Sequence, residues 1–162
     1  MILKLKNKDT LIIGEFRFKC AIGKNGLITK KVEGDGCTPR GTFSLGKLYW
    51  RNDRVKKLNT KILSKKIKKN IGWCNDPSSN LYNREVSNNQ KVRMERLYRS
   101  DYKYNYFIVI NYNTKNIIKN IGSAIFLHLT KNYKKTAGCI AVSEQDFIII
   151  SKLLKKNSKI KI

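Results

Sequence analysis

Short apolar or alternating segments, separated by turn-forming residues, constrain the fold of this chain more than any other feature. Three such segments occupy its first third: ILKLK (2–6), TLIIGEFRFKCAI (10–22) and LITKKV (27–32). Alternation with a period of two is typical of a half-buried strand, and a short continuous apolar run is typical of a buried one. The Lys-Asn-Gly sequence at 24–26 predicts a hairpin turn between the second and third segments.

The same pattern continues along the chain and is followed by a helical signal. TFSLGKLYW (42–50), NYFIVINY (105–112) and SAIFLHL (123–129) predict further strands, the last two of them buried. At 143–146 the sequence Ser-Glu-Gln-Asp resembles a capping box that opens a helix. Apolar residues then recur at helical spacing, at Phe147, Ile150, Leu153 and Leu154. Residues 51–70 fit either a loose helix or an extended segment.

These segments belong to one unit, because 162 residues suffice for a single core and no repeat or linker interrupts them. We therefore predict one mostly β domain over 1–162, with one clear helix near its C-terminal end. No run of about 18 apolar residues is present, which argues against a membrane span. Lysines at 4, 6 and 8 interrupt the N-terminal segment, so it lacks the apolar core of a secretory signal. The expected location is the cytoplasm.

The formal net charge of +24 raises the question of nucleic-acid binding, because Lys and Arg neutralise phosphates. The positive charge is spread along the whole chain and comes mostly from lysine, which is abundant together with Asn and Ile. The codons of these three residues are rich in A and T, so genomic base bias can account for much of the excess. We predict no specific nucleic-acid partner, but a surface that favours anionic ligands.

The cysteines do not form a metal-binding pattern. Cys20, Cys37, Cys74 and Cys139 show no CxxC spacing, and the chain has a single histidine. This composition argues against a zinc site. A disulfide framework is equally unexpected in an unexported chain of this size. Cys20 is interpreted as a small buried hydrophobic residue, and only Cys139 has a neighbourhood that indicates chemistry.

His128 and Cys139 are the one pair with the chemistry of a nucleophile and its base. A free thiol with a pKa near ~8.5 is mostly protonated at neutral pH, and an imidazole can take its proton and later return it to a leaving amine. His128 ends a predicted strand and Cys139 precedes the predicted helix. Gly138 allows a tight turn, and the amides at 137–139 are candidates for an oxyanion hole. Spacing alone is also compatible with two residues that merely pack in a core.

Two motifs resemble the L,D-transpeptidase catalytic-domain (YkuD-like) family. Thr-Ala-Gly-Cys-Ile at 136–140 resembles the family signature at Thr136, Gly138, Cys139 and Ile140, and His128 matches its upstream histidine. A Thr-Pro-x-Gly-x-Phe segment that leads into a strand in the family stands here at 38–43. WCNDPSSNLYNREV and GSAIFLHL are similar to a compact branch of the family, so the likeness covers roughly residues 10–155.

The resemblance implies a β-sandwich-like catalytic fold and acyl transfer through a cysteine thioester, with no cofactor. Cys139 would be the nucleophile and His128 its base. Thr136 would orient the imidazole through its hydroxyl or its main-chain carbonyl. The implied substrate is a peptidoglycan stem tetrapeptide, from which the terminal D-alanine is expelled. An amine then takes the acyl group to form a 3-3 cross-link, or water takes it, which is L,D-carboxypeptidase activity.

Hydrolysis of soluble muropeptides is the outcome that we predict, because the chain shows no export signal and water greatly outnumbers dilute amine acceptors inside a cell. Cross-linking in the periplasm, after export by an unrecognised route, is the alternative. Ala137 and Ala141 stand where many relatives carry a histidine and an Arg or Asn, respectively. Both changes lie beside the nucleophile, where they affect recognition of the acceptor.

The carboxylates of a stem peptide require basic side chains, preferably the bidentate fork of arginine. The candidate substrate-binding residues are Arg40, Arg84, Tyr82 and Asn83, with Tyr98 and Arg99 as further candidates. Two rival interpretations stay open. One is a basic module that binds nucleic acid and in which Cys139 is inert. The other is a family member that binds wall peptides without turnover.

Overall fold

The computed structural model describes residues 1–162 and contains fourteen β-strands and one α-helix. In chain order the strands are β1 (Ile2–Lys6), β2 (Thr10–Ile13), β3 (Phe16–Ala21), β4 (Leu27–Ile28), β5 (Thr38–Pro39), β6 (Thr42–Trp50), β7 (Ser64–Lys66), β8 (Ile71–Cys74), β9 (Glu85–Ser87), β10 (Met94–Arg96), β11 (Tyr106–Ile110), β12 (Phe126–Leu129), β13 (Ile140–Val142) and β14 (Lys159–Lys161). The helix α1 spans Glu144–Leu153. The prediction of a mostly β chain with one helix near its C-terminal end is confirmed.

Eight of the strands form a closed ring. Their order is β11, β12, β13, β3, β2, β1, β14 and β6, and β6 pairs back to β11. Strand β6 closes the ring because residues 42–44 pair with β14 and residues 45–50 pair with β11. Strand β7 adds to β6 in parallel, while β10, β8 and β9 form a separate three-stranded sheet. Ring closure pairs most strands on both sides, which satisfies their backbone hydrogen-bonding groups.

Strands β11 and β12 are buried on both faces, because two cores meet at them. In β11, Ile108 and Ile110 belong to a core of 22 buried residues, while Phe107 and Val109 belong to a second core of 10. Successive side chains of a strand point to opposite faces. A strand covered on both faces therefore appears as a continuous apolar run, as predicted for this segment. The second core also contains Cys139.

Helix α1 begins where the capping signal predicts. The Ser143 hydroxyl accepts a hydrogen bond from the Asp146 amide at 3.1 Å. Phe147 and Ile150 are buried in the larger core, and the Phe147 ring stacks on Tyr106 with 5.8 Å between ring centroids. The helix has ten residues, and no helix of this chain combines the length and apolarity needed to cross a bilayer.

Two expectations about local structure are corrected, and the alternative left open for residues 51–70 is decided. The segment 10–22 forms two strands, because Gly14, with φ of +58°, reverses the chain between β2 and β3. Residues 24–26 form a turn but no hairpin, since β3 pairs with β2 and β13 whereas β4 pairs with β5. Residues 51–70 contain no helix. Their backbone is extended or irregular. Ile62 packs in the larger core and Ile67 packs in the smaller one.

Candidate active site

Strands β12 and β13 bring His128 and Cys139 to the same face of the sheet. The two strands are parallel, with Leu127 opposite Ile140 and His128 opposite Ala141. Because side chains alternate between faces, His128 and Cys139 both point away from the core that holds Leu127 and Ile140. They are offset by two residues on adjacent strands, and both line one cleft of about 510 Å³. The predicted thiol and imidazole therefore share a site.

The imidazole of His128 is held in one tautomer. Its Nδ1 lies 2.9 Å from the carbonyl oxygen of Leu129, which can only accept, so Nδ1 carries the proton and Nε2 is the basic nitrogen. The ring also meets Tyr104 edge to face, with 5.5 Å between centroids. Burial lowers the pKa of His128 to about 4. The imidazole is therefore neutral at pH 7 and able to accept a proton.

The thiol of Cys139 is held by the backbone of the segment 124–126. Its Sγ donates to the Ala124 carbonyl at 3.2 Å and accepts from the Phe126 amide at 3.3 Å. Burial, and to a smaller extent the carboxylate of Glu95, raise the pKa of Cys139 to about 12. The resting thiol is thus protonated and directed at Ala124. Transfer of its proton to the imidazole would require the S–H to turn away from Ala124.

Thr38 joins the two sequence motifs. Its hydroxyl accepts from the Gly23 amide at 2.9 Å and donates to the Gly138 carbonyl at 2.7 Å. Gly138 has a φ of +147°, and a Cβ there would lie 2.8 Å from the Cys37 carbonyl oxygen. Only glycine fits this conformation and this close approach. Gly138 therefore makes the predicted tight turn. The missing side chain leaves room for the Cys37 carbonyl oxygen.

The structure gives Thr136 a role different from the one predicted. Its hydroxyl donates to the Cys139 carbonyl at 2.6 Å and accepts from the Gly138 amide at 3.1 Å. Its main-chain carbonyl accepts from the Lys24 amide at 2.9 Å. The carbonyl that Nδ1 of His128 contacts is that of Leu129. The hydrogen bonds of Thr136 stabilise the turn that carries Cys139.

Basic side chains outnumber acidic ones in the cleft. The charged residues that line it are Lys31, Arg99, Lys103, Lys134 and Lys135 on the basic side, and Glu33 and Glu95 on the acidic side. Arg99, one of the candidates from the sequence, is therefore in the cleft. Lys31 and Arg99 form ion pairs with Asp35 and Asp101, whereas the other three lysines form none. The unpaired lysines favour an anionic ligand.

Neither Arg40 nor Arg84 lines this cleft. Both side chains are exposed and lie outside it. Arg40 directly follows β5, whose residues Thr38 and Pro39 are both buried, and its own side chain lies at the surface. Arg84 likewise follows the buried Asn83. The prediction that these two arginines bind the substrate is not supported by their positions.

Tyr82 and Asn83 are buried behind the cleft and support its wall. The Tyr82 hydroxyl donates to Glu33 and accepts from the Gly122 amide at 3.0 Å. The carboxamide oxygen of Asn83 accepts from the Ala124 amide at 3.1 Å. Neither residue lines the cleft, and both hold the segment 122–124 beside Cys139. Their positions do not support the prediction that they bind the substrate.

The sequence pattern did not indicate several groups of the cleft. Tyr104 donates to Glu95 and packs against His128. Its position directly before the predicted strand 105–112 was the only available signal. Glu95 lies in the short strand β10, which has no clear apolar pattern. The orienting carbonyl of Leu129 has no signal in the sequence, because every residue carries a backbone carbonyl.

The fold and site define a mostly β protein with a thiol and a neutral imidazole on adjacent strands of a basic cleft. A family model described as the YkuD L,D-transpeptidase catalytic domain matches residues 3–162. The chain therefore belongs to the L,D-transpeptidase catalytic-domain family. This membership confirms the resemblance found in the two sequence motifs.

Solved structures of a cell-shape protein share this fold. The helical cell shape determining protein Pgp2 from Campylobacter jejuni is 18% identical, with a TM-score of 0.53, and a mutant of the same protein is 18% identical with a TM-score of 0.51. The matches cover 99% of this chain but only 46% and 45% of those chains, so it spans about half their length. No curated protein matches the chain in sequence.

Proposed function

We propose that the protein is an L,D-carboxypeptidase, which removes the terminal D-alanine from stem tetrapeptides of soluble muropeptides through a thioester on Cys139. The observation that carries this proposal is the placement of Cys139 and His128 in one cleft, with Nε2 of the imidazole as the free basic nitrogen. Membership of the L,D-transpeptidase family supports the substrate class. The cytoplasmic location stays a prediction from the sequence.

The first half of the reaction forms the thioester. The Cys139 proton moves to Nε2 of His128 as Sγ attacks the carbonyl carbon of the peptide bond that joins the terminal D-alanine to the rest of the stem peptide. The developing oxyanion needs backbone donors, and the amides of Ala137 and Cys139 are available because they donate to no group of the protein. The Gly138 amide is excluded, since it donates to Thr136. The C–N bond then breaks, and His128 returns the proton to the leaving D-alanine amine.

The second half of the reaction releases the acyl group. Water gives a proton to Nε2 of His128 while its oxygen attacks the thioester carbon, and the C–S bond breaks as the sulfur recovers that proton. An amine acceptor would have to enter the same cleft, and amines of this type are largely cationic at neutral pH. The unpaired Lys103, Lys134 and Lys135 repel such a cation. Their charge does not oppose water, which favours hydrolysis over cross-linking.

Mass spectrometry of the purified protein with a soluble disaccharide-tetrapeptide tests this proposal. We expect the wild type to remove one D-alanine and Cys139→Ala to remove none. Cys20→Ala is the matched control, because Cys20 is also buried but lies in the other core. This control should retain the activity.

The products distinguish the alternatives. A dimeric product at raised substrate concentration would show that the protein cross-links stem peptides instead of hydrolysing them. An unchanged tetrapeptide with the wild type would refute both. Thermal unfolding of Cys139→Ala checks that its loss of activity does not result from loss of the fold.

A further inference from the structure

Ala124 has an unusual backbone conformation directly beside the nucleophile. Its φ is +52°, a left-handed value that residues with a Cβ rarely adopt, because the Cβ approaches the following carbonyl oxygen. In this conformation the Ala124 carbonyl accepts the S–H of Cys139 at 3.2 Å. Such a conformation persists at a residue other than glycine only where the surroundings hold it in place.

Asn83 supplies this hold. Its Oδ1 accepts from the Ala124 amide at 3.1 Å and from Trp73 Nε1 at 2.8 Å. Its Nδ2 donates to the carbonyls of Tyr112 at 3.1 Å and Asn113 at 2.7 Å. Two donors directed at the oxygen and two carbonyls facing the nitrogen fix the orientation of the carboxamide. Asn83 is 3% exposed, so water does not compete for these bonds.

We propose that Asn83 is a positioning residue for the Cys139 nucleophile and acts through the backbone of Ala124. The carboxamide oxygen fixes the Ala124 amide, and the left-handed residue directs its carbonyl at the thiol. The Phe126 amide donates to the same sulfur at 3.3 Å, so the thiol is held between one acceptor and one donor. The inference rests on the proposed function, since the orientation of this thiol affects turnover only if Cys139 is the nucleophile.

The rate at which iodoacetamide alkylates Cys139 reports how firmly these hydrogen bonds hold the thiol, and the assay needs no substrate. Peptide mass spectrometry separates Cys139 from the other three cysteines. The test variant is Asn83→Gly, because glycine adopts the φ of +55° found at this position without strain. Without the carboxamide, Ala124 relaxes and its carbonyl turns away, so the thiol loses a bond that favours its protonated form. We expect alkylation at pH 7 to be at least ~tenfold faster, which corresponds to one unit of thiol pKa.

The same variant should release D-alanine with a kcat about tenfold lower and an unchanged KM, because a nucleophile that is free to rotate is seldom in the attacking position. A thiol that is more reactive with a small reagent but less effective on the substrate distinguishes positioning from general damage. Asn7→Gly is the matched control. It makes the same substitution at an exposed residue with a φ of +53° that lies outside the cleft, and it should keep the wild-type alkylation rate.

A second change tests the role of the backbone. Adding Ala124→Gly to Asn83→Gly should return alkylation toward the wild-type rate, because glycine adopts the left-handed conformation without help. If Asn83→Gly does not fold, Ala124→Val breaks the same link from the other end and should also speed alkylation. Unchanged alkylation in Asn83→Gly, or an equal increase in Asn7→Gly, would overturn the inference. Absence of D-alanine release by the wild type would contradict the proposed function alone.

Discussion

At the scale of single residues, burial sets the protonation of both reacting groups. It lowers the pKa of His128 to about 4 and raises the pKa of Cys139 to about 12. A neutral thiol beside a neutral imidazole avoids the cost of burying two charges. In the proposed mechanism, the proton therefore moves only when Sγ attacks a substrate. The hydrogen bond from Nδ1 to the Leu129 carbonyl keeps Nε2 ready for that step.

The pKa of His128 predicts a loss of stability in acid. The folded protein binds the imidazole proton only near pH 4, whereas the unfolded chain binds it near the ordinary value of 6.5. The stability is therefore fully present above about pH 6.5 and is lost as the pH falls through 4. For this group the loss amounts to about 3 kcal/mol. Urea unfolding of the wild type at pH 7 and at acid pH measures it.

His128→Gln separates this contribution from those of the carboxylates, which also titrate in acid. The variant lacks the imidazole, so its free energy of unfolding should fall less between the two pH values than that of the wild type. An equal fall in both proteins would mean that His128 is not kept neutral by the fold.

At the scale of elements, the hydroxyl of Thr38 connects two segments that are 100 residues apart in sequence. Thr38 lies on β5, and Gly138 lies in the turn before β13, where the Cys37 carbonyl also approaches it. The two motifs that identify the family are therefore one structural unit. The first motif holds the backbone of the second and thereby positions Cys139.

Thr38→Val should destabilise the protein by about 2–3 kcal/mol, because it leaves the buried Gly23 amide and Gly138 carbonyl without this partner. Chemical denaturation measures the change. Thr42→Val is the matched control, since Thr42 is exposed at the start of β6 and its hydroxyl makes no hydrogen bond within the protein. We expect this control to stay within about 0.5 kcal/mol of the wild type. An equal loss of unfolding free energy in the two variants would show that the Thr38 hydroxyl bridge does not stabilise the fold.

At the scale of the whole molecule, only four of the 35 Lys and Arg side chains form ion pairs, and the net charge is +24. Most lysines therefore repel one another through solvent. One such contact is built into the ring, where Lys4 of β1 lies directly opposite Lys161 of β14. Like charges on facing positions of adjacent strands destabilise a sheet. The charge that attracts anionic ligands to the cleft thus acts against the compact state.

Salt should consequently stabilise the protein. We expect the Tm to rise by several degrees as ionic strength increases from about 0.01 to 0.2 M, because the Debye length shortens from roughly 30 Å to less than 10 Å. Lys161→Glu should raise the Tm at low salt and weaken its response to salt. Lys159→Glu changes the net charge equally but faces Ile2 and Ser44, so it should raise the Tm less. A Tm that is independent of salt would contradict the repulsion.

The sequence by itself determined the parts of this protein that depend on local order. Alternating and continuous apolar runs predicted β1, β6, β11 and β12, because the period of two is a property of the strand itself. The Ser143 cap predicted the start of α1 through a bond that spans three residues. The local motifs also indicated Cys139 and His128, and their resemblance to the family is confirmed.

Only the tertiary structure decided which groups surround these two residues. It left Arg40 and Arg84 at the surface, buried Tyr82 and Asn83 behind the cleft, and brought Glu95 close enough to raise the pKa of Cys139. None of these outcomes follows from residue type, since each of these side chains occurs both at surfaces and at sites. Burial and contact are set by strands that pair across long stretches of sequence, as in the ring that closes β6 onto β11. Local sequence patterns do not determine which distant strands pair.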